Sequence, residues 1–235
     1  MSKIDSILSN FLKDQSKRLK PRTFRDYESV IELFEIYLNN YGYQYLNEQD
    51  MKLWEEKYRS DEEAFTKMVD ISKVSLESRL SEFLEYFIIR KVASGESFMK
   101  TAVRVMEKFA KWLYENEYIS KTEYTEIKDY FSEGKDKSLP NAEKVADLFY
   151  DETNRNWQKD DNEYDEILEG YFTIEKIESE KLWLEDMFSD RTNIGPVIVS
   201  KEISDLCQVD WDVSLVIGKL KGSWYVLESG NVYPT

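Results

Sequence analysis

Four basic residues recur at three- and four-residue spacing in the middle of the chain: Lys100, Arg104, Lys108 and Lys111. On a helical wheel at about 100° per residue they fall together on one side. The apolar residues of the same segment fall on the opposite side: Phe98, Ala102, Val105, Phe109 and Trp112. Such a line of cations can follow a phosphate backbone or enter a major groove. The pattern therefore suggests non-covalent recognition of duplex DNA.

A second basic cluster lies at the predicted junction of the first two helices. Only Asp14 interrupts it, and its members are Lys13, Lys17, Arg18, Lys20, Arg22 and Arg25. Beyond Arg25 the second helix becomes acidic, which shortens any surface that could contact phosphates. A plain solvated face is the simpler interpretation of both groups, because exposed helix faces are ordinarily charged and Glu107 and Glu115 dilute the later group.

Histidine is absent from the 235 residues, and its absence removes much catalytic chemistry. Histidine is the only side chain whose unperturbed pKa lies near neutrality, and it is the commonest metal ligand. Ser-His-Asp and Cys-His nucleophilic systems and His-based zinc sites are therefore excluded. We expect no enzymatic activity, no metal site and no cofactor. A carboxylate-dependent hydrolase stays open as a minor alternative, although no carboxylate spacing supports it.

The acidic stretch and the single cysteine are the other candidates for chemistry. A calcium loop starting at Asp160 would need glycine at its sixth position and glutamate at its twelfth, where Asp165 and Tyr171 stand. A solvated linker explains this stretch better. Cys207 stands in an apolar setting, which favours an inert core thiol. A lone cysteine permits no internal disulfide, and the chain has no signal-peptide pattern or apolar span, so we predict a cytoplasmic location.

The elements that must position these residues fall into two parts. Up to about Glu152 the apolar spacing predicts helices at about 3–17, 21–40, 48–57, 61–71, 76–92, 98–116, 120–134 and 140–152. The pairs Ser60 with Glu63 and Ser120 with Glu123 have the spacing of capping boxes. From Gly170 onward the residues predict strands at 171–177, 181–185, 196–200, 213–220 and 224–227. Five short strands fit a small closed or half-closed barrel better than an open sheet with exposed edges.

The formal net charge of −15 is unevenly distributed along the chain. Residues 1–140 carry 23 basic and 26 acidic residues, a net of −3, whereas residues 141–235 carry 9 and 21, a net of −12. We therefore predict an α+β chain of two domains. A helical bundle occupies 1–135, a helix and an acidic linker occupy 136–169, and a small β-barrel-like domain occupies 170–235. The acidity of the last domain disfavours nucleic acid there.

Two segments share a further pattern. The first contains Pro21-Arg22-Thr23 followed by Tyr27 and Phe34, and the second opens at Ser97 and Thr101 and runs through Phe109 to Trp112-Leu113. A Pro-x-Thr segment that opens an aromatic helix, followed by a Ser/Thr-rich opening of a helix with Trp-Leu, resembles the core-binding domain of tyrosine recombinases and phage integrases. The resemblance covers roughly residues 5–118. It implies a SAM-like helical fold that clamps one face of duplex DNA.

The predicted DNA-contacting residues combine the basic groups with positions that the resemblance carries over: Lys20, Arg22, Thr23, Arg25, Lys100, Thr101, Arg104, Lys108 and Lys111. Lys20 departs from the family's usual small N-cap, the insertion at 48–71 is long, and the histidine of the family's active site has no counterpart. We therefore predict a non-catalytic DNA-binding protein, with duplex DNA as partner of the helical domain and a protein as partner of the β domain. The alternative, favoured by the overall negative charge, is a protein-interaction or regulatory adaptor that binds no nucleic acid.

Overall fold

The structure is a computed structural model that describes residues 3–92, 95–156 and 164–234. Its class is α+β, as the sequence predicts, with helices up to Asn156 and a sheet after them. The chain divides into two compact units. The first unit comprises Met1–Phe87 and Thr101–Asp136, and the second comprises Ile88–Lys100 and Lys137–Thr235. Each unit thus takes segments from distant parts of the sequence, whereas the predicted domains at 1–135, 136–169 and 170–235 are contiguous.

The helices that precede the sheet follow the predicted apolar spacing. They are α1 (Ile4–Ser16), α2 (Pro21–Tyr41), α3 (Glu48–Tyr58), α4 (Ala64–Met68), α5 (Leu76–Glu82), α6 (Ile89–Lys91), α7 (Glu96–Glu115), α8 (Lys121–Tyr130) and α9 (Asp136–Asn156). Short 3-10 turns lie at Gly42–Tyr45 and Ile71–Lys73, and π-helical segments lie at Phe83–Ile88 and Phe131–Lys135. None of the helices in the described part of the chain has the length and apolar character that crossing a bilayer requires.

The two predicted capping boxes have different outcomes. The box at Ser120 is confirmed, because its hydroxyl accepts a bond from the N–H of Glu123, whose carboxylate accepts one from the N–H of Ser120. The box at Ser60 and Glu63 is wrong. The hydroxyl of Ser60 instead donates to the carbonyl oxygen of Lys57 at 3.0 Å, and α4 begins without a side-chain cap. The N–H of Glu63, which the box would direct to Ser60, instead donates to the carboxylate of Asp61 at 3.0 Å.

Helix α9 begins earlier and ends later than predicted. Gly134 adopts a left-handed conformation with φ of 88°, and α9 begins directly after this reversal rather than at Pro140, which lies inside the helix. The segment predicted as an acidic linker contributes the end of α9 up to Asn156 and the first strand from Glu166. The linker prediction is therefore wrong at both ends, and its remainder at 157–163 lies outside the described residues.

Aromatic side chains from three helices form the core of the first unit. Phe11 of α1 is fully buried, and its ring centroid lies 5.0 Å from that of Phe109, 5.5 Å from that of Trp112 and 6.0 Å from that of Tyr27. Phe34 of α2 also packs on Phe109, at 6.1 Å. Aromatic pairs at these distances add to the stabilisation from apolar burial. Phe11 is thus the side chain that joins α1 to both α2 and α7.

The strands of the second unit form a sheet that closes on itself. Within the described residues they are β1 (Glu166–Glu178), β2 (Lys181–Asp186), β3 (Ile194–Ile198), β4 (Asp212–Leu220) and β5 (Ser223–Tyr233), with α10 (Lys201–Leu206) between β3 and β4. Neighbouring strands follow the order β1-β2-β3-β5-β4, and β4 pairs with β1. The pairing of β3 with β5 is parallel and the other pairings are antiparallel. Lys221 and Gly222 form the tight β4–β5 turn, both with positive φ, as a two-residue hairpin requires.

The inner face of this sheet packs with α9 into one apolar core. Phe149 of α9 and Phe172 of β1 are among its fully buried members. Two tryptophans of the second unit, Trp211 and Trp224, are buried in this core. Trp183 is half-buried on the outer face, where the Lys176 ammonium lies 4.4 Å from its ring centroid. Most of the tryptophans in the strands and the turn before β4 thus lie in the core, as the alternation of apolar residues in the sequence indicates.

Cys207 belongs to the same core, and we expect its thiol to be inert in the folded protein. Burial raises the pKa of this thiol to about 12, so the reactive thiolate is scarce at neutral pH. Ellman's reagent should therefore react slowly in native buffer and completely in concentrated guanidinium chloride. Rapid reaction in native buffer, at the rate of the unfolded protein, would contradict the buried position.

Candidate nucleic-acid interface

Helix α7 presents its basic side chains to solvent and buries its opposite side. The exposed residues are Lys100, Arg104, Lys108 and Lys111. The buried residues include Met99, Ala102, Val105, Phe109 and Leu113. Phe98 and Trp112, which the helical wheel places inward, are half-buried, as is Thr101. The predicted division of this helix into a basic and an apolar face is therefore present in the structure.

The four basic residues of α7 differ in their ion pairing. Lys100 pairs with the glutamate one turn earlier, and Lys111 Nζ lies 3.4 Å from Glu115 Oε1. Exposed ion pairs between residues four apart on a helix contribute only about 0.3–0.5 kcal/mol to stability. An incoming phosphate can therefore replace the carboxylate at small cost. Arg104 and Lys108 form no ion pair with any residue that the structure describes. These two cations are therefore already available to an anionic partner.

A groove of about 370 Å³ lies between the end of α1 and the second half of α7. Its lining residues are Asp14, Gln15, Arg18, Lys108, Lys111, Trp112 and Glu115. Arg18 lies in the turn after α1, whereas Lys108 and Lys111 belong to α7, far along the sequence. The fold thus brings three cations from both predicted basic groups to a single concave surface. We call this surface the α1–α7 groove.

The carboxylate of Asp14 is engaged within the α1–α7 groove. Its oxygens accept hydrogen bonds from Lys17 Nζ at 2.7 Å and from Trp112 Nε1 at 3.3 Å. These two bonds hold the pKa of Asp14 below its usual range. A carboxylate that is already bonded repels a phosphate less than a free one does, because part of its charge is compensated.

Arg18 is the one cation lining the α1–α7 groove that is not among the predicted DNA contacts. The recombinase resemblance carries over Arg22, Thr23 and Arg25 at the first opening but not Arg18, although the sequence places Arg18 in the early basic cluster. The signal that could have identified it is its position directly after the first helix. Phe11 and Asp14 share one face of α1 at three-residue spacing, and Arg18 follows the end of α1 by two residues. Phe11 packs against α7, and Arg18 lines the groove beside the same helix.

The start of α2 carries the predicted contacts of the first opening. Lys20 is the N-cap residue in an extended conformation, and Pro21 occupies the first turn. Arg22 and Arg25 are exposed, and Thr23 is half-buried. No side chain caps this end, and no acidic residue lies in its first turn. Cations near a helix N-terminus are repelled by the positive end of the helix dipole, and a bound anion would offset this repulsion.

Only some of the predicted DNA-contacting residues lie together in a groove. Lys108 and Lys111 line the α1–α7 groove with Arg18, and they also line a second groove of about 390 Å³ between α7 and α8. Lys128 of α8 adds an ammonium group to that second groove, whereas Glu107 and Asp136 add carboxylates. The other predicted contacts line neither groove: Lys20, Arg22, Thr23, Arg25, Lys100, Thr101 and Arg104.

Neither a metal cluster nor a known relative adds to this geometry. Within residues 3–92, 95–156 and 164–234, no three His, Cys, Asp or Glu side chains are grouped so that they could hold a metal ion. Most of the acidic stretch that was considered as a calcium loop, Asp160–Glu163, lies outside those ranges. No protein-family model, curated protein or solved structure matches the chain.

Proposed function

We propose that the chain is a non-catalytic DNA-binding protein whose first unit contacts the phosphates of duplex DNA. The observation that carries the proposal is the α1–α7 groove, where Arg18 meets Lys108 and Lys111. A phosphate oxygen accepts short, charge-assisted hydrogen bonds from such cations, and a guanidinium can donate two at once. Three cations around one concave surface, one from the turn after α1 and two from α7, fit this ligand better than they fit an uncharged one.

Arg104 extends the cationic surface beyond the groove. It lies one turn before Lys108 on the exposed face of α7, and the helix rises about 1.5 Å per residue, so Arg104 and Lys111 are about 10 Å apart along the axis. One DNA strand carries a phosphate about every 3.4 Å of its axis, so this length faces about three phosphates. Contacts to phosphates position a protein without reading bases. The binding we propose is therefore strongly salt-dependent and weakly selective for sequence.

The resemblance to the core-binding domain of tyrosine recombinases supports the same partner. It assigns DNA contact to the starts of α2 and α7, and the uncapped, cationic start of α2 suits an anion. We also propose that the helical unit has a SAM-like fold and that the closed sheet is a small β-barrel. The lack of histidine in this chain supports a role without strand exchange, because the family's active site uses that residue.

Reversing two charges on α7 should remove most of the DNA affinity. The double variant Arg104→Glu with Lys108→Glu replaces two phosphate contacts with repulsion, and we expect an affinity at least about tenfold lower, or about 1.4 kcal/mol. Each lost contact should also lower the slope of log K against log salt by about 0.9. Fluorescence anisotropy with a short labelled duplex, titrated over a series of salt concentrations, measures both quantities.

A matched variant separates this site from the general effect of charge. The double variant Lys52→Glu with Arg59→Glu also replaces one lysine and one arginine with glutamate, so its net charge is the same. Both residues are exposed, Lys52 on α3 and Arg59 at the C-terminal end of that helix. This variant should bind DNA like the unmodified protein. Equal losses in the two double variants would show that net charge alone decides the affinity, and unmodified protein that shows no salt-dependent binding would contradict the DNA role.

A protein-binding adaptor is the second candidate, and the charge of the C-terminal part of the chain favours it. Residues 141–235 carry a net charge of −12, which opposes contact with nucleic acid and suits a basic protein surface. A single stoichiometric partner that stays bound after nuclease treatment would support the adaptor. Loss of that partner on nuclease treatment would instead point to DNA as the bridge.

A further inference from the structure

A group of exposed aromatic and apolar side chains lies at one end of the sheet in the second unit. Phe188, in the turn after β2, is 81% exposed, and its neighbour Met187 is 47% exposed. The Phe188 ring meets the half-buried Tyr171 edge-to-face with ring centroids 6.3 Å apart, and the ring of Tyr171 lies 6.4 Å from that of Tyr233, which is also half-buried. We call these four side chains the aromatic patch. Exposed apolar groups that cluster in this way mark interaction sites more often than isolated ones do.

Hydrogen bonds hold the turn that carries the patch. The carboxylate of Asp186 accepts bonds from the N–H of Phe188 at 2.9 Å and from the hydroxyl of Ser189 at 2.8 Å. The N–H of Met187 donates to the carbonyl oxygen of Tyr171 at 3.0 Å. These bonds fix the backbone at Phe188 before any partner arrives. A turn whose backbone is already ordered loses little backbone entropy on binding.

Carboxylates surround the patch and set its charge. Glu169 is exposed two residues before Tyr171, so it lies on the same face of β1. Asp212 of β4 is the register partner of Tyr233, and Glu185 of β2 is exposed just before the turn. The cation of the same turn, Arg191, forms an ion pair of 2.7 Å with Glu166. The surroundings of the rings are therefore negative, and a partner must be positive to complement them.

We propose that the aromatic patch binds a basic segment of another protein, with an arginine or lysine stacked on the exposed Phe188 ring. Cations are attracted to aromatic faces, and the neighbouring carboxylates add ordinary ion pairs to this attraction. Nucleic acid and anionic lipid do not fit, because both would meet like charge. A second copy of this chain does not fit either, because a two-fold contact would place two acidic patches face to face. The proposal concerns the second unit and is independent of DNA binding by the first.

A labelled peptide of alternating arginine and glycine tests the proposal on the full chain. Fluorescence anisotropy should show binding at moderate salt, and Phe188→Ala should weaken it about fivefold, the effect of losing one exposed cation–π contact. Glu185→Gln should also weaken binding of the peptide and reduce the dependence of its affinity on salt. Tyr150→Ala is the matched control, since Tyr150 is a 63% exposed aromatic residue on α9 of the same unit. That variant should bind the peptide like the unmodified chain.

Each other result overturns the proposal. Phe188 is exposed, so its replacement leaves the fold intact and a lost signal cannot be attributed to unfolding. No binding by the unmodified chain, an equal loss in Tyr150→Ala, or equal binding of a glutamate-glycine peptide would each exclude a basic partner at this patch. A dimer in light scattering that Phe188→Ala dissolves would assign the patch to a second copy. Sedimentation with phosphatidylcholine vesicles that depends on Phe188 would assign it to a lipid surface.

Discussion

Replacing Phe11 with alanine is expected to lower the free energy of unfolding of the first unit by about 3–5 kcal/mol. The ring is fully buried and contacts aromatic rings on two other helices, Tyr27 on α2 and Phe109 and Trp112 on α7. Its removal takes away the burial of a large apolar side chain and leaves a cavity that three helices must share. Rigid aromatic neighbours collapse poorly into such a space, so the loss should fall in the upper part of that range.

Urea unfolding followed by far-ultraviolet circular dichroism measures this loss. Leu12→Ala is the control on the same helix, because Leu12 is only half-buried and its truncation should cost clearly less. Phe11→Leu should fall between the two, since it keeps part of the buried volume. If Phe11→Ala costs no more than Leu12→Ala, α1 is not held to α7 through this ring.

The same substitution should also weaken DNA binding under conditions where the variant is still folded. Arg18 and Lys108 meet in the α1–α7 groove because α1 packs against α7, and Phe11 makes that packing. Looser packing lets the two cations drift apart, and two separated cations hold one phosphate less well than two adjacent ones. Anisotropy with the labelled duplex, at a urea concentration below the unfolding transition, checks this. Unchanged affinity in the folded variant would separate the fold of α1 from the proposed function.

The sequence predicts the helices of the first unit well because their apolar faces are strongly periodic. α1, α2 and α7 lie within two residues of their predicted limits, and the basic face of α7 is exposed as the wheel requires. The capping pattern at Ser60 fails because local hydrogen bonds compete. Asp61, not Ser60, accepts the bond from the N–H of Glu63, at 3.0 Å. A pattern of residue types does not show which of two nearby oxygens a given N–H will meet.

The strands and the groove depend on contacts that sequence spacing does not contain. β1 begins at Glu166 and β5 continues to Tyr233, through polar residues and Gly230 that a propensity argument excludes. These residues are extended because β1 pairs with β4 and β4 with β5, and strand preference depends on such pairing. The meeting of Arg18 with Lys108 likewise follows from how α1 packs on α7. The sequence therefore identifies both basic groups but not the pair of cations that lie together.

A largely buried ion pair gives the second large effect. Lys135 Nζ lies 2.7 Å from Glu85 Oε1, with the lysine side chain 10% exposed and the glutamate side chain 30% exposed. Both residues belong to π-helical segments, Glu85 to Phe83–Ile88 and Lys135 to Phe131–Lys135. Tyr130 lies beside them, with its ring centroid 5.5 Å from Lys135 Nζ. Burial and the Glu85 carboxylate raise the pKa of the Tyr130 phenol, so no second anion forms in this cluster.

Lys135→Met is expected to destabilise the first unit by about 3 kcal/mol, because it leaves the Glu85 carboxylate with little water and no cation. This is the lower end of the range for breaking a buried pair, since Glu85 keeps partial contact with solvent. The double variant Glu85→Leu with Lys135→Met should recover most of the loss, because well-packed apolar residues can replace a buried pair at little cost. Urea unfolding of the two single variants and the double variant gives the coupling energy directly.

An exposed pair of the same length shows whether burial is the cause. Lys201 and Asp205 are also 2.7 Å apart, but their side chains are 68% and 57% exposed. Lys201→Met should therefore cost less than about 0.5 kcal/mol. If the Glu85→Leu, Lys135→Met double variant is as unstable as Lys135→Met alone, the lost packing of the lysine stem explains the effect, and the unpaired charge does not. The stability of the double variant therefore distinguishes the two causes. If the unpaired Glu85 carboxylate causes the loss, removing that carboxylate as well restores stability, whereas lost packing of the lysine stem would not be restored.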